Sequence, residues 1–492
     1  MTMTHAKSRR RVAIAGATGF VGRSLIAALR ADYDIIALTR GTPRGGPDDG
    51  VEWRSCDLFS LRDAERALAG ADAAFYLVHS MMPSARLTQG GFDDMDLICA
   101  DNFARAAKAN QVGQIIYLGG LLPSPEESEM SKHLESRLEV ERTLGVHGVP
   151  LTTLRAGLVV GAGGSSFEML RRLVGRLPFM VGPRWTRSLS QAIALSDAVK
   201  LLTFALEHRE LAGRPYDIGC PDVLSYADTL RVTGAVLGKR TRVLTLPVRT
   251  AKLSLLWVSV ITGAPRELVR PLLESLRHDL VARDGLVLQG LAGLEGMPLR
   301  AAIERAVEET KAIESTRSEA PKRARATDAR VRSVQRLPLP PGRDARWVAA
   351  EYTRWLPKFM APLLRVDTDE TGTCRFFVRS LRAPLLVLRF APDRSTGDRQ
   401  LFYVTGGLLT RVLDGSRPRL EFRTVLGGQF VLAAIHDFVP RLPWFIYTMT
   451  QALVHLYVMT GFGRHLRRTS DRDALALERA ERAAERSKAR AV

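Results

Sequence analysis

Four small apolar residues in a row, Val12-Ala-Ile-Ala15, run into a glycine-rich stretch, Gly16-Ala-Thr-Gly19-Phe-Val-Gly22. Beyond it, Val21, Leu25, Ile26 and Leu29 recur at helical spacing. The unbroken apolar run predicts a strand buried on both faces, and the recurrence predicts an amphipathic helix behind a tight turn. The same grammar repeats downstream. Apolar runs at 34–40, 52–58, 73–78, 114–120 and 151–156 predict strands, with helical patterns at 61–69, at 92–110 and from Ser131 between them. Strands alternating with helices at this spacing predict a doubly wound parallel α/β sheet.

From residue 157 the pattern loosens into a small lobe. A glycine-rich loop, 157–164, leads to Ser165 and Ser166, expected to cap a helix over 167–174. Helices are expected over 197–208 and 226–237, in the apolar run 253–261, and over 268–280. Residues 301–332 turn basic, with Pro321 inside and no lasting apolar stripe, and read as a helix end and linker. The domain division predicted is 10–300, the linker, 333–469, and a charged tail over 470–492.

The third part follows different rules. Asp344–Pro357, with Trp347, Tyr352 and Trp355, predicts an opening helix. Short runs at 374–380, 385–390, 401–404, 419–426 and 429–438 predict antiparallel strands, with hairpin turns at Asp414-Gly415 and Gly427-Gly428. A single long helix is expected over 444–468. Helix, meander and closing helix together form the order of an α+β helix-grip fold.

Composition narrows the function classes. The 492 residues carry a formal net charge of +19, mostly through arginine. That field suits an acidic ligand or an anionic membrane. No basic stripe interleaved with aromatics and no nucleic-acid module occurs, so nucleic acid is not an expected partner. The four cysteines, Cys56, Cys99, Cys220 and Cys374, are widely spaced without a C-x-x-C pair. This predicts neither a zinc site nor a disulfide framework, and a reducing, cytoplasmic setting. The basic start of the chain has too short an apolar run for an export signal.

The glycine turn carries the first candidate chemistry. Strand, glycine turn and helix form a phosphate cradle, with Gly16 permitting the turn, Gly19 admitting a pyrophosphate and Gly22 allowing close helix packing. Thr18, Phe20 and Val21 complete the expected dinucleotide contacts, at a helix N-terminus that favours an anion. Arg40 closes the second strand where an acid would select NAD, so NADP (NADPH) is the favoured cofactor. Asp57 and Leu58 are placed for the adenine end. Val78, His79 and Gly119 leave strand ends where open parallel sheets bind ligands.

Residues 10–300 resemble extended, atypical short-chain dehydrogenase/reductases of the NmrA-like kind. The resemblance rests on the glycine turn, Tyr76-Leu-Val-His-Ser80, Ile115-Ile-Tyr-Leu-Gly-Gly120 and Leu154-Arg-Ala-Gly-Leu-Val-Val-Gly161. Pro183-Arg-Trp185 and Gly219-Cys-Pro-Asp-Val-Leu-Ser-Tyr226 extend it. It implies a nicotinamide cofactor in a Rossmann domain, without naming a substrate. Active members use a Ser after the fifth strand and a Tyr-x-x-x-Lys pair, whose Lys lowers the Tyr pKa. This chain has Gly119-Gly120 at the Ser position and no Tyr-x-x-x-Lys in 113–150. His133 and Arg137, one helical turn apart, are the substitute catalytic candidates. The competing expectation pairs Arg137 with Glu141 along an exposed helix face. Gly120, Arg184 and Arg187 are the substrate-side candidates, the arginines for an anionic group.

The third part resembles the START and polyketide-cyclase group in architecture, which implies an apolar ligand between sheet and final helix. Residues 445–463 carry no charge except through His455 and are flanked by Arg441, Arg464, Arg467 and Arg468. They predict a buried core helix, with peripheral membrane contact through 441–468 as the competing expectation. Three functions follow: an NADPH-dependent oxidoreductase on a hydrophobic or anionic small molecule, an NAD(P)H-sensing protein without turnover, or a lipid- or polyketide-binding protein.

Overall fold

The computed structural model describes residues 9–41, 50–79, 87–126, 129–246, 261, 263, 266–316, 330–413 and 417–490. Two compact units form, one from residues 1–82 with 99–323 and one from 83–98 with 324–492. The sequence assigned 83–98 to the first domain. Its residues Leu87–Gln89 instead pair in parallel with Val331–Ser333 in the second.

The first unit is built on seven parallel strands: β1 (Arg11–Ala15), β2 (Asp34–Thr39), β3 (Val51–Ser55), β4 (Ala73–Tyr76), β5 (Ile115–Gly120), β6 (Leu151–Ala156) and β7 (Pro215–Ile218). Their order across the sheet is β7-β6-β5-β4-β1-β2-β3. The order reverses between β1 and β4, and a crevice opens at the carboxyl ends there. Val12, Ile14, Phe75, Ile116 and Leu154 are fully buried, which is why these strands read as unbroken apolar runs. Helices α1 (Phe20–Leu29), α2 (Leu61–Ala67), α3 (Phe92–Ala109), α4 (Lys132–Gly145), α5 (Ser165–Arg176), α6 (Leu195–Glu207), α7 (Tyr226–Val236), α8 (Arg266–Ser275) and α9 (Leu299–Thr316) follow in chain order. Ser131 caps α4, its Oγ accepting from Leu134 N at 3.3 Å. Ser165 and Ser166 do not cap α5 as expected: both lie inside it, and Gly164 is the cap, without a side-chain hydrogen bond. The apolar run over 253–260 lies outside the described residues, as does Asp414-Gly415.

In the second unit β8 (Val331–Pro338), β9 (Leu364–Thr368), β10 (Cys374–Val378), β11 (Leu386–Phe390), β12 (Arg399–Gly406), β13 (Arg419–Val425) and β14 (Phe430–Phe438) form an antiparallel sheet. Its order is β9-β10-β11-β12-β13-β14-β8, with Leu87–Gln89 at the outer edge of β8. Strands β8 and β9 were not predicted; β8 begins inside the expected linker. Helix α10 (Ala345–Phe359) is capped by Asp344, whose Oδ1 accepts from Trp347 N at 2.9 Å. Helix α10 and the C-terminal helix cover one sheet face, where Tyr352, Phe422 and Phe462 fill the core. The expected single helix over 444–468 breaks at Thr450 (φ −125°, ψ −80°) into α11 (Trp444–Met449) and α12 (Gln451–Arg490). Among the described residues no helix is long and apolar enough to cross a membrane. The four cysteines are buried and none is in a disulfide among the described residues.

Candidate active site

The turn after β1 takes a shape that only small residues allow. Gly16 has φ +90°, and a Cβ there would lie 2.9 Å from the Leu77 carbonyl oxygen. A Cβ on Gly22 would collide with the Gly16 carbonyl, so α1 could not start so close to β1. Gly19 N donates to Gly16 O at 2.8 Å and closes the turn. Gly19 caps α1 without a side-chain hydrogen bond, and no acid occupies the first turn. The free amides and helix dipole there suit a pyrophosphate, so these residues fit a dinucleotide. Thr18 is exposed, while Phe20 and Val21 are half-buried. The Phe20 ring packs where side chains on Gly161 and Gly164 would otherwise sit, which accounts for the glycine-rich loop after β6.

Arg40 follows β2 directly and is exposed. Asp57 Oδ1 accepts from Phe59 N at 3.2 Å and shapes the turn after β3. Leu58 is buried, with its carbonyl accepting from Asn102 Nδ2 at 2.7 Å.

Past β4 and β5 the two histidines come together. His79 Nε2 lies 3.0 Å from His133 Nε2, and their ring centroids are 5.0 Å apart. On its other side, His133 Nδ1 is 3.3 Å from Ser275 Oγ. Ser275 Oγ also meets the Pro271 carbonyl at 2.9 Å and Ser131 Oγ at 2.9 Å. A carbonyl only accepts, so the single Ser275 hydroxyl proton goes to Pro271. Ser131 and His133 Nδ1 then donate to Ser275. This assigns the neutral His133 proton to Nδ1 and leaves Nε2 to accept from His79. The assignment follows from the hydrogen-bond pattern.

Arg137 does not join this cluster. It is buried at 8% exposure. Its Nη2 donates to Leu118 O at 2.5 Å and its Nη1 to Val78 O at 3.4 Å. The guanidinium also sits 4.9 Å from the Tyr117 ring centroid, while Tyr117 Oη donates to Arg137 O at 3.1 Å. It therefore ties together the ends of β4 and β5. The expected Arg137–Glu141 pair is absent: Glu141 accepts both hydrogen bonds of Arg155, at 2.9 and 2.6 Å. Strand β6 brings Arg155 beside the helix face, and the folded arrangement overrides the local spacing.

His133, Ser275 and Gly120 line a cavity of about 260 Å³ in the first unit. Its walls come from α5, α7 and α8 and include Met169, Leu173, Met180, Trp185 and Leu273. Among the described residues, no Asp, Glu, Lys or Arg lines it. Arg184 and Arg187, expected to hold an anion, are exposed, while Trp185 and Thr186 between them line the wall. That turn points its apolar residues inward and its cations out. Tyr226 also lines the cavity, its pKa pushed up to about 12 by burial. It stays protonated at neutral pH and can donate a hydrogen bond. The indole Nε1 of Trp185 is buried without a hydrogen-bond partner. Gly119 lies behind the site, packed on Tyr117, whereas a Cβ on Gly120 would meet nothing nearer than Arg137 Cγ at 3.8 Å. Sequence reasoning missed Ser131, Tyr226 and Ser275 as site residues. Their single hydroxyls carry no spacing motif, although Tyr226 ends one of the phrases on which the expected resemblance to short-chain reductases rests.

Comparison with known proteins agrees with the glycine turn. A family model described as NAD(P)H-binding matches residues 16–165. Auxiliary protein GraX of Staphylococcus aureus is 34% identical over 145 residues, covering 29% of this chain and 43% of that protein. The chain thus spans less than half the length of that relative. UDP-glucose 4-epimerase of Vibrio cholerae is 23% identical over 271 residues, covering 50% of this chain and 82% of that one. The crystal structure of a Citrobacter sp. triphenylmethane reductase complexed with NADP(H) superposes with a TM-score of 0.47 at 20% identity, covering 60% of this chain and 99% of that one. The glycine turn at the switch of a parallel sheet and the matched family model together place an NAD(P)H-binding domain of Rossmann fold in the first unit of this chain.

Proposed function

We propose that this protein is an NADPH-dependent reductase of an apolar, uncharged carbonyl substrate. The observation that carries the reading is the cavity beside Gly120, with apolar walls and His133 and Tyr226 as its titratable groups. Residues 16–22 would hold the pyrophosphate, and Arg40 suits the 2′-phosphate of NADPH. Bound NADPH would supply the hydride that the substrate carbon accepts. Tyr226, kept protonated by burial, donates a hydrogen bond to the substrate oxygen. The proton that oxygen needs passes from Ser275 Oγ, which takes the His133 Nδ1 proton in its place, while His133 Nε2 takes the proton of His79 Nε2 and His79 regains one from solvent. Arg137 is a positioning residue that fixes the strand ends under the site.

An acidic substrate such as a nucleotide sugar fits this cavity less well, because its diphosphate needs cations and none lines the wall among the described residues. The vacant Ser position at Gly119-Gly120 and the occupied Arg137 favour, as the second reading, an NAD(P)H-binding regulator without turnover. For the second unit we keep the helix-grip reading. Its support is an antiparallel sheet with two helices on one face, although Tyr352, Phe422 and Phe462 occupy the space between.

The test is purified full-length protein with NADPH, NADH and a panel of apolar aldehydes, ketones and quinones. A cofactor-dependent rise in Tm with NADPH consumption on an apolar carbonyl is expected. Cofactor binding without consumption would leave the regulator, and no Tm rise with either cofactor would end both readings.

A further inference from the structure

We propose that the second unit docks on an anionic membrane surface through the outer face of α11 and the first turns of α12. Phe445, Met449, Leu453 and Tyr457 follow each other at four-residue steps and are 67%, 73%, 57% and 61% exposed. Helical spacing puts Phe445 with Met449 and Leu453 with Tyr457 on one face of their respective helices, and all four are exposed on either side of the break at Thr450. The opposite side of the same helices is buried: Ala452, Val458, Met459 and Phe462 belong to the cores under the sheet. The row is therefore surplus to what folding of this unit uses.

The loop over 408–413 widens it. Arg411 N donates to Val439 O at 2.9 Å and Arg441 N to Leu409 O at 3.1 Å, which fixes the loop beside the start of α11. Leu408 and Val412 add apolar surface there, at 39% and 49% exposure.

Charge decides the occupant. No Asp or Glu occurs from residue 438 to residue 470. Arg411 and Arg441 are exposed at one end of the row. At the other end, Arg464 and Arg468 are exposed seven and eleven residues beyond Tyr457, on the same helical face. An apolar, aromatic row between cations has the composition of a helix that lies in the plane of an anionic leaflet. A second copy of the same face would oppose arginine to arginine in a two-fold contact. Neither helix is long and apolar enough to cross the bilayer, so the contact is peripheral.

Full-length protein is sedimented with vesicles of phosphatidylcholine alone and of phosphatidylcholine mixed with phosphatidylglycerol. Binding to the mixed vesicles is expected, weakening as salt rises. Replacing Phe445, Met449 and Leu453 together by Ser is expected to lower vesicle partitioning at least about tenfold, with the soluble Tm unchanged. Each of R441Q and R464Q is expected to lower it about fivefold. If the triple variant does not fold, Phe445→Trp replaces it, and added fluorescence quenched by brominated lipid is expected. The proposal is overturned by equal partitioning of wild type and triple variant, by no binding to anionic vesicles, or by no added quenching in F445W. A concentration-dependent dimer that the triple substitution disperses would also overturn it, since the row would then be covered by a second copy.

Discussion

His79 and His133, 54 positions apart in the chain, face each other with their Nε2 atoms 3.0 Å apart at the edge of an apolar cavity. The pairing defines a direction for proton movement. Ser275 holds the His133 Nδ1 proton, so the one proton in the Nε2–Nε2 link is the one His79 donates. Replacing His133 by Ala is expected to lower kcat with an apolar carbonyl by about a hundredfold or more. The Tm rise with NADPH should persist. His79→Ala is expected to lower kcat less and to shift its pH profile, because His133 loses its neighbour. Unchanged kcat and pH profile in both variants would make the pair structural.

Cofactor preference rests on Arg40 at the end of β2. Arg40→Asp is expected to weaken NADPH roughly tenfold or more and to improve NADH, since an acid repels the 2′-phosphate and accepts from a 2′-hydroxyl. Titrating both cofactors against the variant checks this, and an unaltered ratio of the two Kd values would remove Arg40 from the site.

The two glycines at opposite ends of the cofactor cleft respond differently to a side chain. Gly22→Ala drives a methyl group into the Gly16 carbonyl. It is expected to abolish the cofactor-dependent Tm rise and to lower the Tm of the free protein. Gly120→Ser has open space and should fold normally, adding a hydroxyl to the cavity wall. Comparing the Tm of both variants with and without NADPH separates packing from binding.

Arg137 holds the Leu118 and Val78 carbonyls from a buried position. Arg137→Met is expected to cost about 1–3 kcal/mol in chemical denaturation, since it removes charge-assisted hydrogen bonds from buried acceptors. Lysine should restore only part of this, because it lacks the planar fork that reaches two carbonyls. A neutral effect on stability would contradict the positioning role.

Acid should weaken the second unit. Burial depresses the pKa of His455 to about 4, beside Ser333 Oγ at 3.0 Å. Burial, then Arg419, depresses that of His436 far below its ordinary value. Both folded-state values lie below that of a free histidine, so the unfolded chain takes up these protons first as pH falls. Their contribution is present in full above about pH 6.5 and is lost progressively as pH drops through the depressed values. Tm measured from pH 7 to pH 4 should fall, and His455→Gln should flatten part of that fall. A Tm independent of pH over this range would contradict the burial of both groups.

The sequence by itself determined the parallel sheet and its glycine turn, because a strand buried on both faces must be continuously apolar and a pyrophosphate turn must be small. It also determined the antiparallel character of the second unit, through short runs and turn residues. Strands β8 and β9 escaped it: β8 carries Arg332, Gln335 and Arg336 in a strand whose partners are distant in sequence, so it reads as linker. The break at Thr450 is equally invisible, since the residues on both sides are good helix formers. Tertiary structure alone decided the site. It brought Ser275 and His79 to His133, gave Glu141 to Arg155 and buried Arg137 among carbonyls. It also turned Arg184 and Arg187 outward while Trp185 and Thr186 closed the cavity. Such pairings depend on which strand ends and helix faces meet in space, and residue spacing within one element carries no record of that.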